Sequence, residues 1–400
     1  MFRYQSTPLY LRSLPLLEYT SSLFSNVDLN DTYILCAQHL VSTSYSLFYK
    51  LIELGLKPFN LAAIGKCYST DHSAIIEMKK LGIDICDSSS TFDSHLSFDE
   101  QYKNNIKNFV QKRIKKLKNN LFKQIIVLDD GGDLLIEVNS IIKNDSRIIG
   151  IEQTSSGFHK IKDIEPRFPI INLARSPAKL FHESPIIAKL VIDSLTLNIQ
   201  NLDLKSGKAL IIGNGPIGSH IHHLLAPDHK VTIYDKISSK SEITKEEFYK
   251  RLGEFDIIIG STGTPILDLK DFELLKPNAL LVSTSSSDRE FNAYILRRKI
   301  PKVQNCHQHL KIEEKWLINC GFPVNFSSNF RLIDPDELQL TRALLLAAIL
   351  QCSLEDPTQK GFIPLDLETQ NEILKEYYSL FPSDSSQYLI QQSLVDQAIK

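Results

Sequence analysis

The chain has 400 residues, 42% of them hydrophobic and 23% charged, the balance of a globular protein of about two or three domains. A net charge of −2 gives no electrostatic case for nucleic acid or a membrane surface. The longest strongly apolar run, Ala343 to Leu350, falls far short of a bilayer span.

Six cysteines without close pairing read as reduced thiols and place the protein in the cytoplasm. Near Met1, Arg3, Arg12 and polar residues interrupt any apolar core, so no signal peptide is expected. Residues 1–30 read as a helix and a linker. Tyr33 to Cys36 reads as an apolar strand ending near His39, followed by an amphipathic helix over Leu47 to Leu56 and a strand over Phe59 to Ile64. A helix over Ser73 to Leu81 and a strand over Ile83 to Cys86 complete an alternation that predicts a parallel sheet. The basic segment Gln101 to Lys123, with Lys112, Arg113, Lys115, Lys116 and Lys118, reads as a helix with a solvated face rather than an anion-binding patch.

Ile125 to Leu128 forms the next predicted strand and opens onto Asp129-Asp130-Gly131-Gly132-Asp133. Acids and glycines at the carboxyl end of a parallel strand stand where such sheets bind ligands. Ile148 to Ile151 leads into Glu152-Gln153-Thr154-Ser155-Ser156-Gly157, and Pro169 to Leu173 into residues 174–177. A linking helix begins over Lys189 to Leu197.

Residues 208–235 carry the most specific signal. The strand Ala209 to Ile212 runs into Gly213-Asn214-Gly215-Pro216-Ile217-Gly218, then an apolar-periodic segment to Leu225, then the strand Val231 to Tyr234 and Asp235. Strand, glycine turn, helix, strand and acid in this order make a dinucleotide fingerprint. Gly213 permits the tight turn, Gly215 admits a pyrophosphate and Gly218 lets helix and strand pack. The helix start faces phosphate, and Asp235 accepts the ribose hydroxyls, which favours NAD.

Beyond it, Asp256 to Gly260 leads into Ser261-Thr262-Gly263-Thr264, and Ala279 to Val282 into residues 283–287. Asn325 follows a short apolar piece, residues 335–353 read as a strong helix, and an amphipathic helix lies near Leu367 to Tyr378. Cys306, His307 and His309 lack a second ligand cluster and read as loop residues, so no metal is expected. His220, His222 and His223 read as surface and packing residues of the helix after the glycine turn.

Several of these segments, in order from about 30 to 365, resemble the S-adenosyl-L-homocysteine hydrolase (adenosylhomocysteinase) family. They are Tyr68-Ser69-Thr70-Asp71-His72, Leu128 to Asp133, Gly150 to Gly157, Asn172 to Lys179, the glycine turn, Gly260 to Thr264 and Pro323-Val324-Asn325. The resemblance implies an α/β fold of two Rossmann-like doubly wound parallel-sheet domains joined by a hinge. A nucleoside-binding domain would take residues 1–184 plus about 340–400, and an NAD-binding domain residues 185–339. It implies bound NAD that takes a hydride from ribose C3′, elimination or hydration at the neighbouring carbons, and return of the hydride. It implies a homodimer or higher homo-oligomer.

Carried over by position, His39 is a substrate-side histidine, Asp130 an acid/base residue and Lys179 the group handling the 3′-hydroxyl proton. Thr154, Ser155 and Ser156 would hold the nicotinamide ribose and amide. Thr262 and Gly263 match the cofactor loop, Asn325 contacts nicotinamide, and Asp235 stands for a glutamate. The chain also departs from the pattern. Gln153 replaces a ribose-gripping glutamate, Glu183 an aspartate, Ser184 an asparagine, Ala188 a cysteine and Ser286 a histidine. Asp334 falls at a hinge, and a C-terminal tail reaching a neighbouring protomer is missing. Three readings follow: an NAD-dependent enzyme oxidising a nucleoside ribose, a relative that binds NAD and nucleotide without turnover, and a simple dehydrogenase of another small substrate.

Overall fold

The computed structural model describes residues 14–118, 122–142, 145–204, 206–326, 335–355 and 358–382. Met1, Arg3, Arg12, Asp334 and the segment Gln391 to Lys400 lie outside the described residues. The chain divides into two compact units. One comprises Met1–Ser90, Asn104–Glu183 and Arg331–Lys400, the other Thr91–Lys103 and Ser184–Phe330.

Six strands of the first unit come in sequence: β1 (Thr32–Ala37), β2 (Leu61–Ile64), β3 (Asp84–Ile85), β4 (Gln124–Asp129), β5 (Ile148–Glu152) and β6 (Pro169–Asn172). The second unit contributes β7 (Lys208–Ile212), β8 (Lys230–Tyr234), β9 (Ile257–Gly260), β10 (Leu280–Ser283), β11 (Leu310–Ile312) and β12 (Lys315–Leu317), after which β13 (Gly361–Ile363) returns to the first. The first sheet is parallel throughout, in the order β13-β6-β5-β4-β1-β2-β3. Its central strands are buried along nearly their whole length, so they read as unbroken apolar runs rather than alternating ones. From β1 the chain builds outward through β2 and β3, then restarts on the other side with β4. The switch point between β1 and β4 is the crevice in which doubly wound sheets bind ligands.

The second sheet runs β11-β12-β10-β9-β7-β8, and only β11 is antiparallel. Its switch point lies between β7 and β9. The helices Ser184–Asn201 and Pro216–Leu225 pack Ala188, Val191, Leu195, Ile221 and Leu225 against Ile211, Ile257, Ile259 and Val282 of the strands. Arg297, fully buried, ties this unit's early stretch to its later one. Its guanidinium donates to Asp288 at 2.6 Å and to the carbonyls of Ser94, Leu96 and Cys320 at 2.9 to 3.1 Å. Both sheets are therefore Rossmann-like α/β sheets.

The structure corrects several boundaries. The helix after β1 spans Ser42–Glu53 and starts earlier than Leu47, because Thr43 and Ser44 are buried despite their polarity. The 335–353 segment opens with a 3-10 turn before the helix Gln339–Gln351, every residue of which is buried except Thr341. The hairpin β11–β12 has no counterpart among the predicted elements. In the basic helix, Phe98–Leu117, Lys112 and Lys115 are exposed. Arg113 departs from the solvated face: it is buried, forks onto Asp84 at 2.6 and 2.9 Å and lies over the Phe109 ring. All six cysteines are free thiols. Among the described residues no helix is long and apolar enough to cross a membrane.

Candidate functional site

Four adjacent strands of the first sheet end together: β2 at Ile64, β1 at Ala37, β4 at Asp129 and β5 at Glu152. The residues just beyond them meet. Asp130 accepts from Lys66 Nζ on one carboxylate oxygen and from Gln153 Nε2 on the other, which also lies 3.2 Å from His39 Nε2. His39 Nδ1 faces the Ser69 hydroxyl at 2.5 Å, so a neutral ring donates from Nε2 and accepts at Nδ1.

Lys66 and Asp130 are 2% exposed and Gln153 3%. Burial pushes the Asp130 carboxyl up, but the charge of Lys66, then of His39, outweighs it and holds Asp130 well below the usual carboxylate range. Burial pulls the Lys66 ammonium down; the charge of Asp130 prevails and raises it. For His39 burial prevails over Asp130 and lowers the pKa, so the ring is neutral at pH 7. The cluster thus holds a fixed carboxylate, a fixed ammonium and an imidazole able to take or give a proton.

Beside it lie the acids that end the strands. Asp129 Oδ2 accepts from the Leu135 N–H at 2.9 Å, and Glu152 Oε1 from the N–H and hydroxyl of Thr154, both at 2.7 Å. A Cβ at Gly157 would overlap the Glu152 carboxyl, and Gly132 sits in the left-handed region with its missing Cβ 3.0 Å from Gly157 Cα. These glycines clear room for a buried acid. Thr154 also caps the helix Ser155–Ile161, accepting from Gly157 N at 2.9 Å, while Ser155 is exposed and Ser156 half-buried.

Lys179 and Glu183 lie on a π-turn, Ala178–Glu183, four residues apart and ion-paired. Glu183 also accepts from Thr341 Oγ1 at 2.9 Å. Such π-turns often mark functional sites. Ser184 is buried at the start of the next helix, and Ala188 lies in the apolar core of the second unit.

At the second switch point, Gly213 has φ +104°, and a Cβ there would meet Ser261 O at 2.8 Å. A Cβ on Gly218 would overlap the Gly213 carbonyl oxygen, whereas one on Gly215 would meet nothing within 4 Å. Pro216 and Ile217 open the helix Pro216–Leu225, with proline at its first position. Asp235 accepts from Asn214 N at 2.7 Å and Ile237 N at 2.9 Å, which locks the turn to the end of β8. The Thr262–Gly263 loop after β9 is held by Glu290, which accepts from both backbone N–H groups at 2.7 and 2.6 Å and from the Ser285 hydroxyl. Asn325 is buried, and its Oδ1 has no partner among the described residues. Ser286 is half-buried in the segment after β10.

No protein-family model matches the chain. Over 360 residues, 88% of this chain and 71% of theirs, it is 37% identical to two proteins of Mycobacterium tuberculosis: Uncharacterized protein MT0113 of strain CDC 1551 / Oshkosh and Uncharacterized protein Rv0104 of strain ATCC 25618 / H37Rv. The chain belongs to their family. Among solved structures, a dipicolinate synthase from Bacillus halodurans is similar at 11% identity and a TM-score of 0.40, over 81% of this chain and 97% of that one. Cofactor (NAD+)-bound 3-phosphoglycerate dehydrogenase of Entamoeba histolytica is similar at 12% identity and a TM-score of 0.34, over 74% and 95%. The Rossmann-like description of this family member stands on the strand order and register given above.

Its glycine turn fits a dinucleotide. Space is open at Gly215, the flanking glycines are sterically required, and the Asn325 oxygen has no partner among the described residues. Sequence reasoning missed Lys66, Arg342 and Glu290, each of which is buried and makes polar contacts with residues distant in the chain, and it passed over Glu152 although that acid stands inside the Glu152-Gln153-Thr154 motif and bonds to Thr154. Among the described residues no group of three or more His, Cys, Asp or Glu is arranged to hold a metal. His309 instead accepts from the Asn319 N–H at 3.2 Å, and His220 pairs with the Pro216 carbonyl at 2.6 Å.

Proposed function

We propose that the chain is an NAD-dependent enzyme with adenosylhomocysteinase-like chemistry. It acts on a nucleoside, or on a thioether resembling S-adenosylhomocysteine, through transient oxidation at ribose C3′ and elimination or hydration at the neighbouring carbons. The observation that carries this reading is the buried His39–Asp130–Lys66–Gln153 network at the switch point of the first sheet. A binding module has no need for so many compensated charges under cover.

Gly213, Gly215, Gly218, Asp235, Thr262, Gly263 and Asn325 hold the dinucleotide in this reading. When bound, NAD supplies the reversible hydride acceptor. Lys179, as the neutral amine, takes the 3′-hydroxyl proton, and Glu183 beside it pairs with the ammonium that results. His39, neutral and oriented by Asp130 and Ser69, moves the proton at the eliminating carbon or leaving group. Asp130 stays a carboxylate and positions His39 and Gln153. The first unit takes the nucleoside, the second takes NAD, and the working form is a homodimer or higher oligomer in the cytoplasm.

The test has two stages. Mass spectrometry of small molecules released from denatured protein shows whether NAD is held. Adenosine and S-adenosylhomocysteine are then added to NAD-loaded protein while absorbance is followed in the reduced-nicotinamide band. Absorbance should rise with at least one adenosine derivative and fail to rise in Lys179→Ala, which should retain NAD. Protein that holds NAD yet shows no reduction overturns the enzymatic reading. It favours a member that binds NAD and nucleotide without turnover, for which the direct Lys179–Glu183 pairing speaks.

A further inference from the structure

Arg342, on the helix Gln339–Gln351, is 3% exposed. Its Nε donates to Thr43 Oγ1 at 3.0 Å. Among the described residues Nη1 and Nη2 make no hydrogen bond, and no carboxylate pairs with the guanidinium. Other buried arginines of the chain are treated differently. Arg297 is satisfied by Asp288 and three carbonyls, and Arg113 forks onto Asp84. The acids whose charge reaches Arg342 are Asp130 and Glu183. Both are committed elsewhere, Asp130 to Lys66, Gln153 and His39, and Glu183 to Lys179 and Thr341.

Thr43 is the second residue of the helix Ser42–Glu53, which starts at the carboxyl end of β1 beside the switch point. The cap residue of that helix, Val41, offers no side chain to its first N–H groups, so the helix start is a partial positive charge with donors to spare. Gln38, just past the end of β1, is fully buried, and among the described residues neither atom of its carboxamide has a partner. A planar cationic fork with two idle nitrogens, seated on a helix N-terminus, is the arrangement that receives two oxygens of one anionic group.

We propose that Arg342 and the first turn of the helix Ser42–Glu53 form a subsite for the oxyanion of a small-molecule ligand. That group is a carboxylate or a phosphate, and the ligand is a metabolite bearing it; a neutral nucleoside leaves the fork empty. This assignment goes beyond the nucleoside reading and stands without it.

The full-length chain is titrated calorimetrically with inorganic phosphate and, separately, with malonate. NAD is present in excess so that the glycine turn is not the site being read. Saturable binding of at least one probe is expected, and the tighter one identifies phosphate or carboxylate as the source. Arg342→Gln should weaken that binding roughly tenfold or more, and Arg342→Lys by less. No saturable binding to the unaltered chain, or equal binding to Arg342→Gln, overturns the proposal. Should Arg342→Gln not fold, crystals of the unaltered chain soaked in selenate decide: an anomalous peak at the guanidinium supports the subsite, and none there overturns it. Anion binding without nicotinamide reduction leaves this subsite standing while the nucleoside reading falls, and the converse result separates them the other way.

Discussion

Asp129 and Glu152 stand in register on β4 and β5, each with one carboxylate oxygen bonded and the other, among the described residues, without a partner. Burial, with the nearby charge of Asp133, raises the Asp129 carboxyl to about 7, and burial, with the charge of Asp129, raises Glu152 well above its ordinary value. Asp129 is therefore part-protonated near neutral pH, while Asp130, one residue away, keeps its charge.

A stability profile follows. A carboxyl whose folded pKa is raised contributes stability that is whole below its unfolded pKa, near 3.8 for Asp129, and is lost as pH climbs through about 7. Asp129→Asn should remove this dependence. Urea unfolding of both proteins across that range should show the native protein losing, relative to the variant, on the order of a few kcal/mol. A difference that does not change with pH would show that the Asp129 carboxyl is not raised in the folded protein.

Lys66→Met strips the buried Asp130 of its cation and leaves His39 and Gln153 to compensate. Breaking one side of a buried pair costs on the order of 3 kcal/mol, which chemical denaturation should register. The positive charge of Lys66 also depresses His39, so the His39 pKa, followed by NMR, should rise in the variant. An unchanged His39 titration contradicts the geometry.

The glycines of the dinucleotide turn should separate folding from binding. Gly218→Ala places a methyl group on the Gly213 carbonyl and should lower the unfolding free energy by about 2 kcal/mol or more. Gly215 has extended backbone, φ −85° and ψ −174°, and open space around it. Gly215→Val should therefore keep its melting temperature while NAD is lost from the denatured extract. Equal melting losses in both variants would refute the assignment of Gly215 to ligand approach.

Glu290 fastens the Thr262–Gly263 loop through two backbone donors and the Thr262 hydroxyl at 3.0 Å. Burial raises its pKa against those hydrogen bonds. Glu290→Ala should cost about 2 to 4 kcal/mol by denaturant titration, with hydrogen exchange accelerated at Thr262 and Gly263. Protection that persists at those two amides would show the loop held by something else.

The sheets were legible because strands such as Tyr33 to Cys36 and Ile125 to Leu128 are buried on both faces, so burial writes itself as an apolar run. The hairpin β11–β12 was hidden for the opposite reason. Its strands have three residues each, and its turn uses Glu313 and Glu314 at positive φ where glycine or asparagine would have signalled it. At the site, Asp130, Gln153 and Gly213 announce themselves within short motifs. Lys66 meets Asp130 from 64 residues away and Arg342 meets Thr43 from 299; no local pattern encodes such partnerships, only the completed sheet order does.

Arg297 draws its acceptors at Ser94 and Leu96 from about two hundred residues earlier in the chain. During synthesis the stretch Thr91–Lys103 therefore waits, without its guanidinium, until most of the second unit has emerged. The first unit waits longer still, for β13, which completes its sheet beside β6. The two units are made interleaved, and a fragment cut at residue 183 contains neither of them whole.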